Sequence, residues 1–157
     1  MKEKIALDLF NSGLNCAQAV LTSFSEDLHL DPAVAKSVSC GFGGGMGRLQ
    51  ETCGAVTGSF MVLGMYNCQK YMDNILRKDN TYSMIQSFSD RFVSVHGTIN
   101  CKKLLNCDLK TLEGRKYAKE NNLFENICEK CIIDSIKILE DLITESQSEQ
   151  ITSKTKF

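Results

Sequence analysis

The sequence predicts an all-α fold: a compact helical bundle with a glycine-rich loop before a central helix. Three observations predict it. Apolar residues recur at helical spacing along most of the chain. No segment shows the apolar–polar alternation of a strand. Good capping residues precede the apolar runs and glycines follow them, so the punctuation falls where helices would start and stop.

The elements follow in order. Lys2 to Asn11 carries Ile5, Leu7, Leu9 and Phe10, a short amphipathic helix stopped near Gly13. Asn15 starts a second helix with Gln18 three positions on, a capping-box pattern, and Ala19, Val20, Phe24 and Leu28 form its apolar face. Asp31-Pro32 is an N-cap followed by proline at the first helical position, and opens a helix ending near Cys40. Gly41 to Gly47 is too rich in glycine for regular structure and reads as a loop. A central helix then starts at Thr52 and runs to about Asn67. Its Gly54 and Gly58 each cost about 1 kcal/mol against alanine, so close approach of another helix backbone, or of a cofactor, is expected there. Thr81 to His96 and a short turn or helix from Asn100 to Asn106 come next. Phe124 to Thr144 closes the domain, with Ile132, Ile136, Leu139 and Ile143 on one face. Residues 1–145 read as one domain and 146–157 as a polar, disordered tail.

Composition excludes several classes. Lys+Arg 18 against Asp+Glu 19 gives a formal net charge of -1, so neither nucleic acid nor a membrane surface is the expected partner. The longest apolar run, Ala55 to Tyr66, is broken by glycines and far short of the roughly 18–20 residues of a membrane span. The opening MKEKIALDLF lacks the pattern of a secretory signal, so a cytoplasmic protein with reduced thiols is expected. Eight cysteines in 157 residues also fall below the roughly 8–10% of a disulfide scaffold.

The cysteines are the chemical signal. Asn15-Cys16, Thr52-Cys53 and Asn100-Cys101 each place a thiol just inside an expected helix start, and Asn126-Ile127-Cys128 does so with one residue between. There the unsatisfied N–H groups and the positive end of the helix dipole favour the thiolate, which is both nucleophile and metal ligand. Cys128-x-x-Cys131 puts two thiols on one helical face. These two could form a redox pair or supply two metal ligands; alternatively Cys131 packs beside Ile132 while Cys128 faces the site. Cys40, Cys68 and Cys107 carry less weight, as does Cys131, because free cysteine is among the most buried residue types. His29 and His96 read as helix-end residues with structural roles. The glycine loop lacks the Lys-Ser/Thr ending of a phosphate-binding loop and no strand precedes it. It is better read as bare backbone brought close to Cys53 or its ligand, with Arg48 as a cationic neighbour.

Gly13-x-Asn15-Cys16-Ala17-Gln18-Ala19-Val20, then Gly43-Gly44-Gly45-Met46-Gly47, then Cys53-Gly54-Ala55-Val56-Thr57-Gly58 resemble the C-GCAxxG-C-C family of redox-active proteins. Cys101-Lys102-Lys103-Leu104-Leu105, and Cys128 followed by Asp134, look like its remaining two cysteines. The resemblance implies four family cysteines, Cys16, Cys53, Cys101 and Cys128, the same four picked by their place at helix starts. The family is also similar to part of the split-Soret cytochrome. No C-x-x-C-H motif exists here, so covalent haem is not expected.

The expected function is therefore redox chemistry at one site built from Cys16, Cys53, Cys101 and Cys128, with Gly44, Gly45, Gly47 and Gly54 forming the surrounding backbone. Two mechanisms are open: thiol–disulfide exchange led by Cys53, or four thiolates holding an iron–sulfur cluster or zinc. The alternative from another class is a helical binding protein with inert core cysteines. A homodimer is expected from the small residues of the central helix, with Met46, Met61 and Met65 as adaptable apolar surface.

Overall fold

A computed structural model describes residues 1–154, with side chains described to Glu149. Among the described residues the chain is all-α, and its one β feature is an isolated antiparallel bridge between Thr52 and Asn100. The helices are α1 (Lys2–Asn11), α2 (Cys16–Ser23), α3 (Pro32–Ser39), α4 (Gly54–Lys70), α5 (Asn74–His96), α6 (Cys101–Leu105), α7 (Leu112–Glu120) and α8 (Glu129–Lys154). No helix among the described residues is long and apolar enough to cross a membrane.

Local chemistry accounts for the ends. Asn15 caps α2 by accepting the Gln18 N–H at 3.0 Å, and the Gln18 side chain accepts the Asn15 N–H at 3.0 Å, the reciprocal box that the sequence predicts. Asp31 caps α3 and Asn100 caps α6. Other boundaries differ from expectation. Helix α2 ends at Ser23, and Phe24 to Leu30 continues in turns that still bury Phe24 and Leu28. Helix α4 starts two residues later than expected, because Cys53 itself is its N-cap and Thr52 is held in the bridge. Helix α5 starts at Asn74, where Asp73 accepts the Leu76 N–H at 2.9 Å, well before Thr81. Helix α7 had no apolar stripe to announce it, and its one buried residue is Ala118. Helix α8 continues past the expected boundary at residue 145 to Lys154; residues 155–157 of the expected tail lie outside the described residues.

Helix α4 is central, packing on α2, α5 and α8. Its apolar residues Val56, Val62 and Leu63 are buried with Val20 and Leu21 of α2, Phe88 and Phe92 of α5, and Ile132, Ile136 and Leu139 of α8. The glycines explain themselves against α2. A Cβ at Gly58 would stand 2.9 Å from the Ala17 carbonyl oxygen, and one at Gly54 would stand 3.1 Å from the Cys16 Cβ. The close approach is thus to a helix backbone of the same chain. The small residues that motivated a homodimer are used inside one chain, and Met61 and Met65 pack on its core.

A smaller apolar cluster of Cys101, Leu105, Leu109 and Ala118, flanked by Leu123, Phe124 and Ile127, sits beside this core. Buried Gln50 fastens it: its side chain donates to the Cys107 carbonyl at 2.9 Å and accepts the Leu109 N–H at 2.7 Å.

The α2–α4 contact makes a paired prediction. Gly58→Ala should destabilise the fold by about 1–2 kcal/mol, since overpacking against backbone outweighs the helix-propensity gain. Gly64, on the same helix, has nothing within 4 Å of its Cβ position, and Gly64→Ala should stabilise by about 0.5–1 kcal/mol. Denaturant midpoints of the two variants moving in the same direction would contradict this packing.

Candidate functional site

Between the main core and the smaller cluster lies a cavity of ≈ 600 Å³. Cys16, Cys53, Cys101 and Cys128 all line it, so residues more than a hundred positions apart meet there. Gly44, Gly45, Gly47 and Gly54 line it too. Two cysteines that sequence reasoning set aside also reach it: buried Cys131, and exposed Cys40. Cys107 packs in the smaller cluster and Cys68 is exposed on α4; neither lines the cavity. All eight cysteines are free thiols.

Each wall has a local cause. Cys16 opens α2 and Cys53 caps α4, and the backbone contact at Gly54 and Gly58 runs these helices past each other in the same direction. Both positive helix ends therefore face the cavity. Cys101 opens α6, held by the Cys101 N–H donating to Glu51 at 2.7 Å, and the Cys53 N–H donates to Ile99 at 2.8 Å. Cys128 departs from expectation. Asn126 starts no helix, because the chain is already helical from Phe124 in a π-turn that runs into α8. That wider turn and the first turn of α8 place Cys128 and Cys131 on the same cavity.

The glycine segment forms the opposite wall through an unusual backbone. After a 3-10 turn at Cys40–Phe42, Gly44, Gly45, Met46, Gly47 and Arg48 take φ of 63°, 66°, 66°, 60° and 63°, a continuous left-handed turn. Left-handed conformation costs a residue with a Cβ roughly 1–2 kcal/mol, and Met46, Arg48 and Gln50 all bear it. At Gly45 a Cβ would fall 2.7 Å from that of Cys101, so bare backbone approaches Cys101 more closely than any other thiol.

The thiols influence one another's ionisation, and two interactions dominate. Cys16 faces Cys128, and this interaction, with burial second, pushes the Cys16 thiol well above the ordinary range. Cys53 faces Cys131. The Cys131 thiol donates toward Cys53 and is the largest cause of a lowered Cys53 pKa; burial opposes it, and the Ala55 and Val56 N–H groups at the start of α4 reinforce it. Cys131 is correspondingly pushed up, chiefly by the same interaction. Burial, then the charges of Cys53 and Cys16, push Cys101 up to about 12. Arg48 is not among the causes at Cys53; a neighbouring thiol and two amides do what sequence reasoning assigned to that cation.

His96 was expected to be structural. Its Nδ1 lies 4.0 Å from the Cys131 sulfur, and its Nε2 lies 3.1 Å from Asp134 Oδ2 without hydrogen-bond alignment. The ring is stacked on Phe92 with centroids 4.4 Å apart. Asp134 therefore stands behind the imidazole that faces Cys131. Spacing could have hinted at it, since Asp134 is three residues after Cys131 on one helical face; nothing local in the sequence connects either to His96.

Residues 14–142 match the family described as "Putative redox-active protein (C_GCAxxG_C_C)". The chain belongs to this family. A protein of Archaeoglobus fulgidus named "Uncharacterized protein" is 27% identical over 123 residues, covering 73% of this chain and 82% of its own. No solved structure matches.

The pairing predicts an ordered reactivity. In timed alkylation followed by peptide mass mapping, Cys53 should react at lower pH than Cys16, Cys101 and Cys131. Cys131→Ala should move the Cys53 profile to higher pH, and Arg48→Ala should leave it in place. A profile that follows Arg48 instead would refute the thiol–thiol origin.

Proposed function

We propose that this member of a redox-active family performs thiol–disulfide exchange, with Cys53 as attacking thiol and Cys131 as resolving thiol. The observation that carries the reading is the convergence of Cys53 and Cys131 on one cavity, supported by the shift of the Cys53 thiol toward ionisation beside Cys131. The thiolate is the nucleophile in exchange, and a lowered pKa raises its population near neutral pH.

The chemistry balances as follows. The Cys53 thiolate attacks one sulfur of a substrate disulfide; that S–S bond breaks, and the first half leaves as a thiolate that takes up a proton. Cys53 then holds the second half as a mixed disulfide. Cys131 gives its proton to His96 Nδ1 and its thiolate attacks the Cys53 sulfur; the mixed S–S bond breaks, and the second half leaves as a thiolate that takes up the proton held by His96. The substrate gains two electrons, and the protein is left with a Cys53–Cys131 disulfide. Cys131, held as a thiol, needs a base at this second step, and His96 is the base in reach, with Asp134 placed to stabilise the imidazolium. Cys16 and Cys128 provide a second thiol pair in the same cavity.

A metal centre is the second mechanism that four cysteines permit. Among the described residues no group of three or more Cys, His, Asp or Glu side chains is gathered so as to hold a metal ion, whereas Cys53 interacts chiefly with Cys131 and Cys16 with Cys128. The pairs favour exchange.

Reduced protein treated with hydroxyethyl disulfide should lose two thiols and yield a Cys53–Cys131 link by peptide mapping. Cys131→Ser, which keeps a donor beside Cys53 but removes the resolving sulfur, should accumulate a mixed disulfide on Cys53. His96→Gln should slow resolution by roughly a hundredfold while the first attack proceeds. Anaerobically purified protein carrying stoichiometric iron or zinc, with no thiols consumed by the disulfide, would overturn exchange in favour of the metal reading.

A further inference from the structure

The cavity in front of Cys53 carries charge of one sign. Among the described residues lining it the ionic side chains are Arg48 on the left-handed turn and Arg115 and Lys119 on α7, and no carboxylate is among them. The bias is local, because the whole chain has a formal net charge of -1. Nor do acidic neighbours neutralise these cations. Among the described residues none of the three has an ion-pair partner; Glu120, beside Lys119 on α7, is paired with Lys116, and Glu145 with Arg91. Arg115 is anchored, donating to the Leu109 and Lys110 carbonyls, while Arg48 and Lys119 are exposed. A cleft lined by one sign of charge between low-dielectric walls concentrates the opposite ion.

Size and shape narrow the occupant further. A volume of ≈ 600 Å³ falls within the range of small-molecule sites, roughly 300–1,000 Å³. Cys53 and Cys101 are each only 6% exposed, so a reactant meets them inside the cavity and not on an outer surface. Phe10, Leu104, Leu105, Leu109, Phe124 and Ile127 supply apolar wall for the methylene groups that flank a disulfide. Bringing an anion toward a thiolate is repulsive unless cations stand nearby, and here they do.

Building on the exchange reading, we propose that the substrate is a small anionic disulfide, whose acidic groups sit among Arg48, Arg115 and Lys119 while its sulfurs reach Cys53. The reaction is the exchange written above; the inference adds the charge and size of the reactant.

Three symmetric disulfides with the same two-carbon arms test it: dithiodipropionate (anionic), hydroxyethyl disulfide (neutral) and cystamine (cationic). Each rate of thiol consumption is divided by the rate of the same disulfide with a small free thiol, which removes intrinsic reactivity. The normalised order should be anionic, then neutral, then cationic, with at least about a tenfold span that narrows as salt is raised. In the Arg48→Gln/Lys119→Gln double variant the anionic-to-cationic ratio should fall toward one. Neutral disulfide consumed without an anionic preference would overturn this inference and leave exchange standing. No consumption of any of the three would overturn both. A preference that survives in the double variant would also overturn the proposal, because it would not arise from these cations.

Discussion

The backbone contact between α2 and α4 is the constraint on which the site depends. With Gly58 against the Ala17 carbonyl and Gly54 against Cys16, the two helices approach more closely than side chains would allow. Because they pass in the same direction, their N-terminal ends arrive together, and the thiols carried at those ends arrive with them. A glycine mid-helix sacrifices about 1 kcal/mol of local preference. At Gly58 that sacrifice permits the core packing, and Gly54, the first residue of α4, lets Cys16 and Cys53 come onto one cavity. Packing and chemistry are thus fixed by the same two residues.

Several thiols in one poorly solvated space cannot all ionise, since each thiolate raises the cost of the next. The fold resolves this by giving them unequal surroundings. Cys53 has a thiol donor and the Ala55 and Val56 amides; Cys101 has burial and the charges of its neighbours against it; Cys16 is opposed by Cys128 and by burial. One thiolate with a facing thiol is the arrangement that exchange chemistry requires, since the attacking and resolving sulfurs need opposite protonation at the first step. In the proposed exchange His96 would make the second step accessible, because a thiol stabilised by donating to its neighbour must later lose that proton. The Phe92 stack and Asp134 hold the ring where Cys131 can reach it.

Much of this was legible in the chain. Helix α8 announced its buried face through Ile132, Ile136 and Leu139, and α2 its start through the Asn15–Gln18 box, because periodicity and capping are local signals. The convergence of Cys16, Cys53 and Cys101 followed from their shared position at helix starts. Cys128 lines the same cavity, but a π-turn and not a helix start carries it there. Helix α7 escaped notice because it buries little, and its residues matter through the charge they bring to the cavity. Cys131 and His96 were undervalued because their importance is tertiary. The sequence places Cys131 next to Ile132, a core residue, and only the fold shows that the same helical turn also faces Cys53.

The left-handed turn shows why a cavity persists where a core would otherwise close. Met46, Arg48 and Gln50 each hold a backbone conformation that side chains disfavour, so this segment must be held by contacts elsewhere. Gln50 supplies them. Its backbone N–H donates to the Gly44 carbonyl at 3.1 Å and closes the turn, and its buried side chain bonds the chain at Cys107 and Leu109. One residue thereby sets the wall opposite the thiols and fastens the smaller cluster that forms the cavity's other side. The strain at Gln50 and its buried amide are two halves of one device: the left-handed backbone aims the side chain, and the hydrogen bonds of that side chain keep the backbone left-handed. Apolar collapse alone would draw Leu105, Leu109 and Phe124 onto the main core. The Gln50 bonds tie the chain down at Cys107 and Leu109, beside the cavity that Cys53 lines.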